Sequence, residues 1–473
     1  MTSQQLTRNF LFLFLSNVIG QVLALAALVH LARVLGPEGF GRFSFAQVVS
    51  LYFLYLADFG LQTLGTREVA SNRDVVPKLV RTISLMRAVT ASVSFVLLVM
   101  FAVLLGRSAA EKHLIIVFGL SILSSAVLLE WVFQGLERME IVAIGRVLRG
   151  VVFAALVFGF VASAQHVVQA AAYYVAGIVA ATLALFLIYR RQFPASGSGL
   201  RVQALRPLFL AALPLAIGSL VTQVNYNFGT FALGLYRPDY DVGLFSSAYK
   251  IILFLWAFVV VAASNAILPM LVRAHSTGEG DLSAVVARLV RWFAIVAVPV
   301  GVGGMALADS LMQFLYPPAY ASASNVLRSG IWIVSIVMIR VVFENVLLAG
   351  KSEKAYLRGY VAAGLLNVGG NFALVPQVGL PAPIIVSLVS ELGLCVYFFV
   401  QSGVMEGKQF FNLIAGPVGA SVIMGLMLKF LPFHILALIP VGGAVYVASL
   451  ILFRVVSVKE LRYYAGSFVR LRR

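Results

Sequence analysis

The chain has 473 residues, of which 61% are hydrophobic and only 11% charged, with a mean hydropathy of +0.98. A soluble domain carries roughly 45–50% apolar and about 25% charged residues, so composition excludes a soluble enzyme or binding module. The net charge of +17 would suggest nucleic acid in a soluble protein. Here most Lys and Arg fall in short connections between apolar runs, so the charge reports membrane topology and not a nucleic-acid partner.

In chain order the runs predict an all-α polytopic membrane protein of about fourteen spans, each needing about 20 residues. The first run, 10–35, follows Arg8 and is too long for the apolar stretch of a signal peptide, which predicts an uncleaved first helix. The remaining spans centre near Leu54, Val96, Ser124, Phe153, Ile178, Leu220, Phe258, Pro299, Val337, Leu365, Leu392, Gly425 and Ala444. The single Cys395 lies inside an apolar run and cannot form an intrachain disulfide.

An even span count puts both termini on one side. With that side cytoplasmic, the inner loops hold Arg67, Arg73, Lys78 and Arg81, then Arg138, Arg146 and Arg149, then Arg190, Arg191, Arg201 and Arg206, with a further basic series to Arg473. The opposite loops hold only Arg33, Arg42, Arg107, Lys112, Arg237, Arg328 and Lys429. This asymmetry predicts a multi-pass inner-membrane protein with both termini cytoplasmic.

The connection 190–207 contains Pro194-Ala195-Ser196-Gly197-Ser198-Gly199, flexible linker chemistry flanked by cations. The parts on either side are related. Gly41-Arg-Phe-Ser-Phe-Ala46 matches Gly243-Leu-Phe-Ser-Ser-Ala248, Gln21 falls opposite Gln223, Val132-Phe133 matches Val342-Phe343, and Leu148-Arg149-Gly150 matches Leu357-Arg358-Gly359. Common order and nearly constant spacing predict a six-helix unit used twice, as parallel repeats enclosing a central cavity. The expected organisation is a first lobe over 1–195, a second over 196–403, two appended spans over 404–456 and a basic tail over 457–473.

The stretch Leu31-Ala-Arg-Val-Leu-Gly-Pro-Glu-Gly-Phe-Gly-Arg-Phe-Ser44, with Ala57-Asp-Phe-Gly-Leu61 and Thr66-Arg-Glu-Val-Ala70, resembles the bacterial polysaccharide-biosynthesis flippases. These form the Wzx-like branch of the multidrug/oligosaccharidyl-lipid/polysaccharide exporter superfamily. Glu130-Trp-Val-Phe-Gln-Gly-Leu-Glu-Arg-Met139 and Phe314-Leu-Tyr-Pro-Pro-Ala-Tyr-Ala321 are similar to the same family. The resemblance implies two six-helix lobes around a cavity that move an undecaprenyl-diphosphate-linked oligosaccharide from the inner to the outer leaflet by alternating access. It also implies membrane lipid as a partner, with polysaccharide polymerase and chain-length proteins as candidates.

Polar residues inside spans are costly in lipid and usually face protein or water. Several come in pairs four apart, on one helix face: Asn17/Gln21, Glu130/Gln134, Gln223/Asn227, Arg340/Glu344 and Asn367/Asn371. Interhelical hydrogen bonding explains such pairs as well as a substrate cavity does. An anionic diphosphate needs cationic donors, which points to Arg340, Lys250 and Arg87, with Asn17, Gln21, Gln223 and Asn227 lining the cavity. Neutralisation by Glu344 is the structural alternative for Arg340, and snorkelling that for Arg87. Glu130, Glu344, Glu391 and Asp58 are the intramembrane acids that could carry a coupling H⁺ or Na⁺, with a capping role as the alternative for Asp58. No cofactor or metal is expected, because the five His residues show no ligand spacing. There is no Gly-x-Ser-x-Gly or Cys-x-x-Cys motif either. The rival readings are a multidrug cation antiporter or peptidoglycan-precursor flippase of the same superfamily, and a polysaccharide polymerase or ligase. The last is disfavoured by short outer loops.

The topology is testable by accessibility. In a Cys395→Ala background, Ser196→Cys should react only with reagent that reaches the cytoplasm, and Ala110→Cys with impermeant reagent outside. Labelling of Ser196→Cys in intact cells would invert the orientation.

Overall fold

The computed structural model describes residues 3–73, 76–193, 205–277, 282–350, 352–457 and 460, with side chains from Asn17 onward except at 258–266, 269 and 276–277. The linker 194–199 and most of the tail 457–473 lie outside the described residues. Every regular element described is helical. In order they are α1 (Ser3–Asp58), α2 (Leu61–Ser71), α3 (Val76–Leu104), α4 (Ala109–Ala126), α5 (Glu130–Gly135), α6 (Met139–Phe160), α7 (Val167–Gln192) and α8 (Leu205–Tyr236). Then follow α9 (Asp239–Thr277), α10 (Leu282–Ala306), α11 (Ala308–Leu315), a 3₁₀ turn Pro318–Tyr320, α12 (Ala323–Ala349), α13 (Glu353–Val378), α14 (Ala382–Ser402), α15 (Gly407–Phe430) and α16 (Ile435–Leu452).

Twelve helices among the described residues are long and apolar enough to cross a membrane. One of them, α1, is two helices joined at a break. Gly36 has φ 69°, left-handed backbone that glycine adopts freely, and Pro37 opens the next helix with its fixed φ. Counting α1 as two spans and adding the 39-residue α9 brings the twelve to the fourteen expected. The outward faces are apolar. On α3, Val89, Val93, Val96, Met100 and Val103 recur at helical spacing and are exposed. Such a stripe is stable where hydrocarbon is the solvent, and a helix there satisfies its own backbone.

The chain divides into two compact units. The first comprises Met1–Ser247 with Asn367–Pro383. In it α1 packs on α3, α4, α6 and α8, and α4 and α6 pack on α7. Ser108 and Glu111 form a capping box that starts α4. The second half of α1 meets the start of α9 with no side chain between them. A Cβ on Gly41 would lie 1.8 Å from the Asp239 carbonyl oxygen, and one on Gly243 would lie 1.8 Å from the Pro37 carbonyl oxygen. These two glycines are the ones that the repeat pairs in sequence. Beside them Arg107 donates to Asp239 Oδ1 and Glu111 Oε1, each at 2.7 Å, and its guanidinium lies 4.9 Å from the Phe45 ring centre. Arg42 reaches Asp239 Oδ2 at 3.3 Å.

The second unit comprises Ala248–Leu366 with Ile384–Arg473. Here α10 packs on α12 and α15, and α15 on α16. Ile295, Ala420, Met424, Leu428, Leu438 and Tyr446 form one of its buried clusters, and the Tyr446 hydroxyl donates to the Ile295 carbonyl at 2.8 Å. The two C-terminal spans are therefore packed into this unit through α10.

The Gly41 contact sets a sharp expectation. Gly41→Ala should cost about 1–3 kcal/mol, the range for overpacking a filled site. Gly218→Ala on α8, where a Cβ meets nothing within 4 Å, should be neutral or slightly stabilising. Thermal unfolding of the purified protein in detergent checks both, and equal melting of the two variants would contradict the contact.

Candidate functional site

The first unit holds a cavity of about 270 Å³ between the two halves of α1, α6 and α7. Its polar lining is Asn17, Gln21, Gln47, Arg146, Arg149 and Tyr174, with Phe153 adding a second ring. Helical spacing assembles it. Asn17 and Gln21 stand one turn apart on α1, and Arg146, Arg149, Gly150 and Phe153 follow one face of α6. The break at Gly36 returns the second half of α1, so Gln47 reaches the same space as Gln21.

Arg146 is the centre of this site. Its guanidinium lies 2.5 Å from Glu130 Oε1 through Nη2 and donates to the same oxygen through Nε at 2.6 Å. A third N–H donates to Asn17 Oδ1 at 3.0 Å. Gln134, one turn along α5 from Glu130, donates to Glu130 Oε1 at 3.2 Å. Arg149 is exposed and has no carboxylate partner among the described residues. Two cations, three amides and two aromatic rings line the cavity, with one carboxylate on Arg146, a set able to hydrogen-bond an anion and hydroxyl groups.

Of the residues expected from sequence, Asn17, Gln21 and Glu130 come together here, and the others stand elsewhere. Gln223 and Asn227 bond to each other on α8, with Asn227 Nδ2 donating to Gln223 Oε1 at 2.9 Å. Arg87 is only 2% exposed and faces protein. It donates to the carbonyls of Ser125 at 2.6 Å and Leu128 at 2.9 Å, and its Nε lies 3.6 Å from Asp58 Oδ1. Those carbonyls sit where α4 ends before α5, and the Ser125 carbonyl also accepts from the Leu128 N–H at 3.1 Å, so Arg87 adds donors at a helix end. Asp58 in turn closes α1 and hydrogen-bonds to Gln62 at the start of α2.

Arg340, likewise 2% exposed, forms the core of the second unit's buried polar cluster. It lies 2.6 Å from Glu344 Oε2 and 2.9 Å from Glu391 Oε2. The Tyr360 hydroxyl accepts from Arg340 at 2.8 Å and donates to Glu344 Oε1 at 3.0 Å. The cluster thus ties α12, α13 and α14 together around one guanidinium and two carboxylates. Lys250 is half-buried on α9. Asn367 donates to the Asn225 carbonyl at 3.3 Å, and Asn371 to Asn367. The first of these bonds joins α13 to α8, and the second runs along α13.

Sequence reading placed Arg146 and Arg149 in an inner loop, and the structure corrects this. Both belong to α6, which starts at Met139, so Arg146 stands about two turns inside it. The available signal was their three-residue spacing, continued by Gly150 and Phe153 on one helix face. Gln47 and Tyr174 carried no such signal, because their place depends on how α1 and α7 pack.

The second unit has a larger groove of about 580 Å³, lined mainly by apolar residues around Trp332, Ile336, Leu388 and Leu392. Its one guanidinium, Arg328, is already held by Asp309 and Asn325.

The Arg340 cluster gives a direct expectation. Arg340→Met leaves two buried carboxylates without their cation, and removing one partner of a buried pair costs about 3–5 kcal/mol. Combining it with Glu344→Gln and Glu391→Gln should recover most of that loss in thermal unfolding. No recovery would show that the guanidinium stabilises by more than charge balance.

The family model for polysaccharide biosynthesis proteins matches residues 6–275. The "Putative O-antigen transporter" of Escherichia coli (strain K12) is 26% identical over 185 residues, an alignment spanning 37% of this chain and 44% of that protein. The protein of the same name from Shigella dysenteriae is 21% identical over 400 residues, covering 84% of this chain and 99% of its own. In fold the chain is similar to the lipid II flippase MurJ in an inward closed conformation, with a TM-score of 0.77 over 94% of this chain and 98% of that one at 13% identity. An inward-facing multidrug resistance MATE family transporter of the MOP superfamily gives a TM-score of 0.62 over 83% of this chain and 95% of that one, also at 13% identity. The chain belongs to the polysaccharide biosynthesis protein family, and its fold is the one MurJ and the MATE transporters share.

Proposed function

We propose that this membrane transporter is a flippase for a lipid-linked oligosaccharide, moving undecaprenyl-diphosphate-linked sugars from the inner to the outer leaflet for surface polysaccharide assembly. The observation that carries the reading is the cavity wall with Arg146 and Arg149 beside Asn17, Gln21 and Gln47. Guanidinium forks match phosphate oxygens, amides serve sugar hydroxyls, and aromatic faces suit the apolar face of a pyranose. A multidrug cation would meet two positive groups there, which disfavours that rival.

Transport proceeds in this reading by alternating access of two lobes, 1–195 and 196–403, with cytoplasmic termini in the inner membrane. The polyprenyl chain stays in lipid while the diphosphate and sugar pass through the protein, so no bond is made or broken. A coupling ion, H⁺ or Na⁺, would be taken up where carboxylates outnumber cations, as at Glu344 and Glu391 around Arg340. The names of the Escherichia coli and Shigella relatives support O-antigen as the kind of glycan exported.

The test is export. Arg149→Gln removes charge-assisted hydrogen bonds worth about 1.5–3 kcal/mol, so delivery of lipid-linked glycan should fall about tenfold or more at unchanged protein level in the membrane. Arg149→Lys keeps the charge without the fork and should retain part of the activity. Wild-type export by Arg149→Gln at low, matched expression would remove the cavity from the transport path.

A further inference from the structure

One of the two cations lining the cavity is already paired with an anion of the protein. Glu130 holds Arg146 at 2.5 Å, and Gln134 steadies the same carboxylate oxygen at 3.2 Å. Arg149, one turn further along α6, faces the cavity with no carboxylate partner among the described residues. From other elements the hydroxyls of Tyr55 on α1 and Tyr174 on α7 lie within electrostatic reach of Arg149. On α2, which packs against α5, Arg67 and Glu68 are exposed, and Thr66 bonds to the Trp131 carbonyl. Glu130 is therefore the anion that any ligand of Arg146 must displace.

We propose that Glu130 makes this cavity select a lipid diphosphate over the phosphodiester headgroups that fill the surrounding bilayer, a claim that rests on the proposed function. With Glu130 ionised, Arg146, Arg149 and Glu130 together carry one net positive charge. A phosphodiester brings a single negative charge. It can settle on Arg149, but to gain Arg146 it must replace a carboxylate of equal charge that is already bonded through two nitrogens. The exchange returns nothing. A diphosphate brings two phosphates joined through one oxygen, and residues three apart on a helix have Cβ atoms about 5–6 Å apart. One phosphate anchors on Arg149, and the other then competes with Glu130 at the high effective concentration of a tethered group. Specificity arises from a built-in competitor that only a bidentate ligand overcomes. Gln134 keeps a hydrogen bond for the displaced carboxylate, so the displacement strands no charge.

The experiment measures equilibrium binding to the full chain in detergent, with farnesyl diphosphate and dioctanoyl phosphatidylglycerol as probes. Wild type should prefer the diphosphate. Glu130→Gln should narrow the preference by about tenfold, chiefly by tightening the phosphodiester, because Arg146 is then held by a neutral amide. Glu130→Asp, whose shorter side chain loosens the carboxylate's hold on Arg146, should shift the ratio in the same direction and serves if Glu130→Gln does not fold. If the ratio is unchanged in these variants while Arg149→Gln weakens the diphosphate, Glu130 has no selective role and the flippase reading stands. If wild type shows no diphosphate binding, or Arg149→Gln does not weaken it, the reading of the cavity fails and the inference with it.

Discussion

A charge held in low dielectric must be paired, and Arg87, Arg340 and Arg146 show three answers to that requirement. Each solves it differently. Arg87 spends its donors on two carbonyls at a helix break, with Asp58 at longer range. Arg340 sits between two carboxylates and a tyrosine hydroxyl, so its pairing is complete from within its unit. Of these three, Arg146 combines a carboxylate with an amide at the wall of a cavity, where a ligand could take over part of its coordination. In the proposed reading a guanidinium serves the substrate when its partners can be replaced, and depth in the membrane is a poor guide to that.

This distinction explains what the chain order conceals. Fourteen apolar runs, their basic connections and the paired polar residues are all written locally, and period and composition are enough to read them. The break at Gly36-Pro37 is equally local, because left-handed glycine before proline ends one helix and starts another. The partners of a buried arginine are not local. Arg340 pairs with Glu344 one turn away, which the sequence displays, and equally with Glu391, fifty-one residues on, which it does not. Arg87 finds its acceptors about forty residues ahead, in a helix end that exists only because α4 stops early.

Arg146 and Arg149 were hidden for a related reason. A cluster of arginines after a short polar connection reads as a cytoplasmic loop, since charge density is the topology signal. The α5 segment is only six residues long, and α6 restarts at Met139, which carries the next two arginines inside a helix. The charge that marks a boundary and the charge that serves a site are chemically identical. Only the three-dimensional register of α6 against α1 separates them.

The crossing of Gly41 and Gly243 bears on how force travels through the first unit. A joint with no side chain in it has no rotamers to absorb displacement. Pushed together, it meets hard-core repulsion at once. Drawn apart by an ångström, it forfeits much of its dispersion. Such a joint is stiff in compression and weak in tension, so the second half of α1 and the start of α9 are either seated or parted, with little in between. A graded pull elsewhere in the unit would be returned there as a click, and the salt bridges of Arg107 and Arg42 to Asp239 set how hard that pull must be.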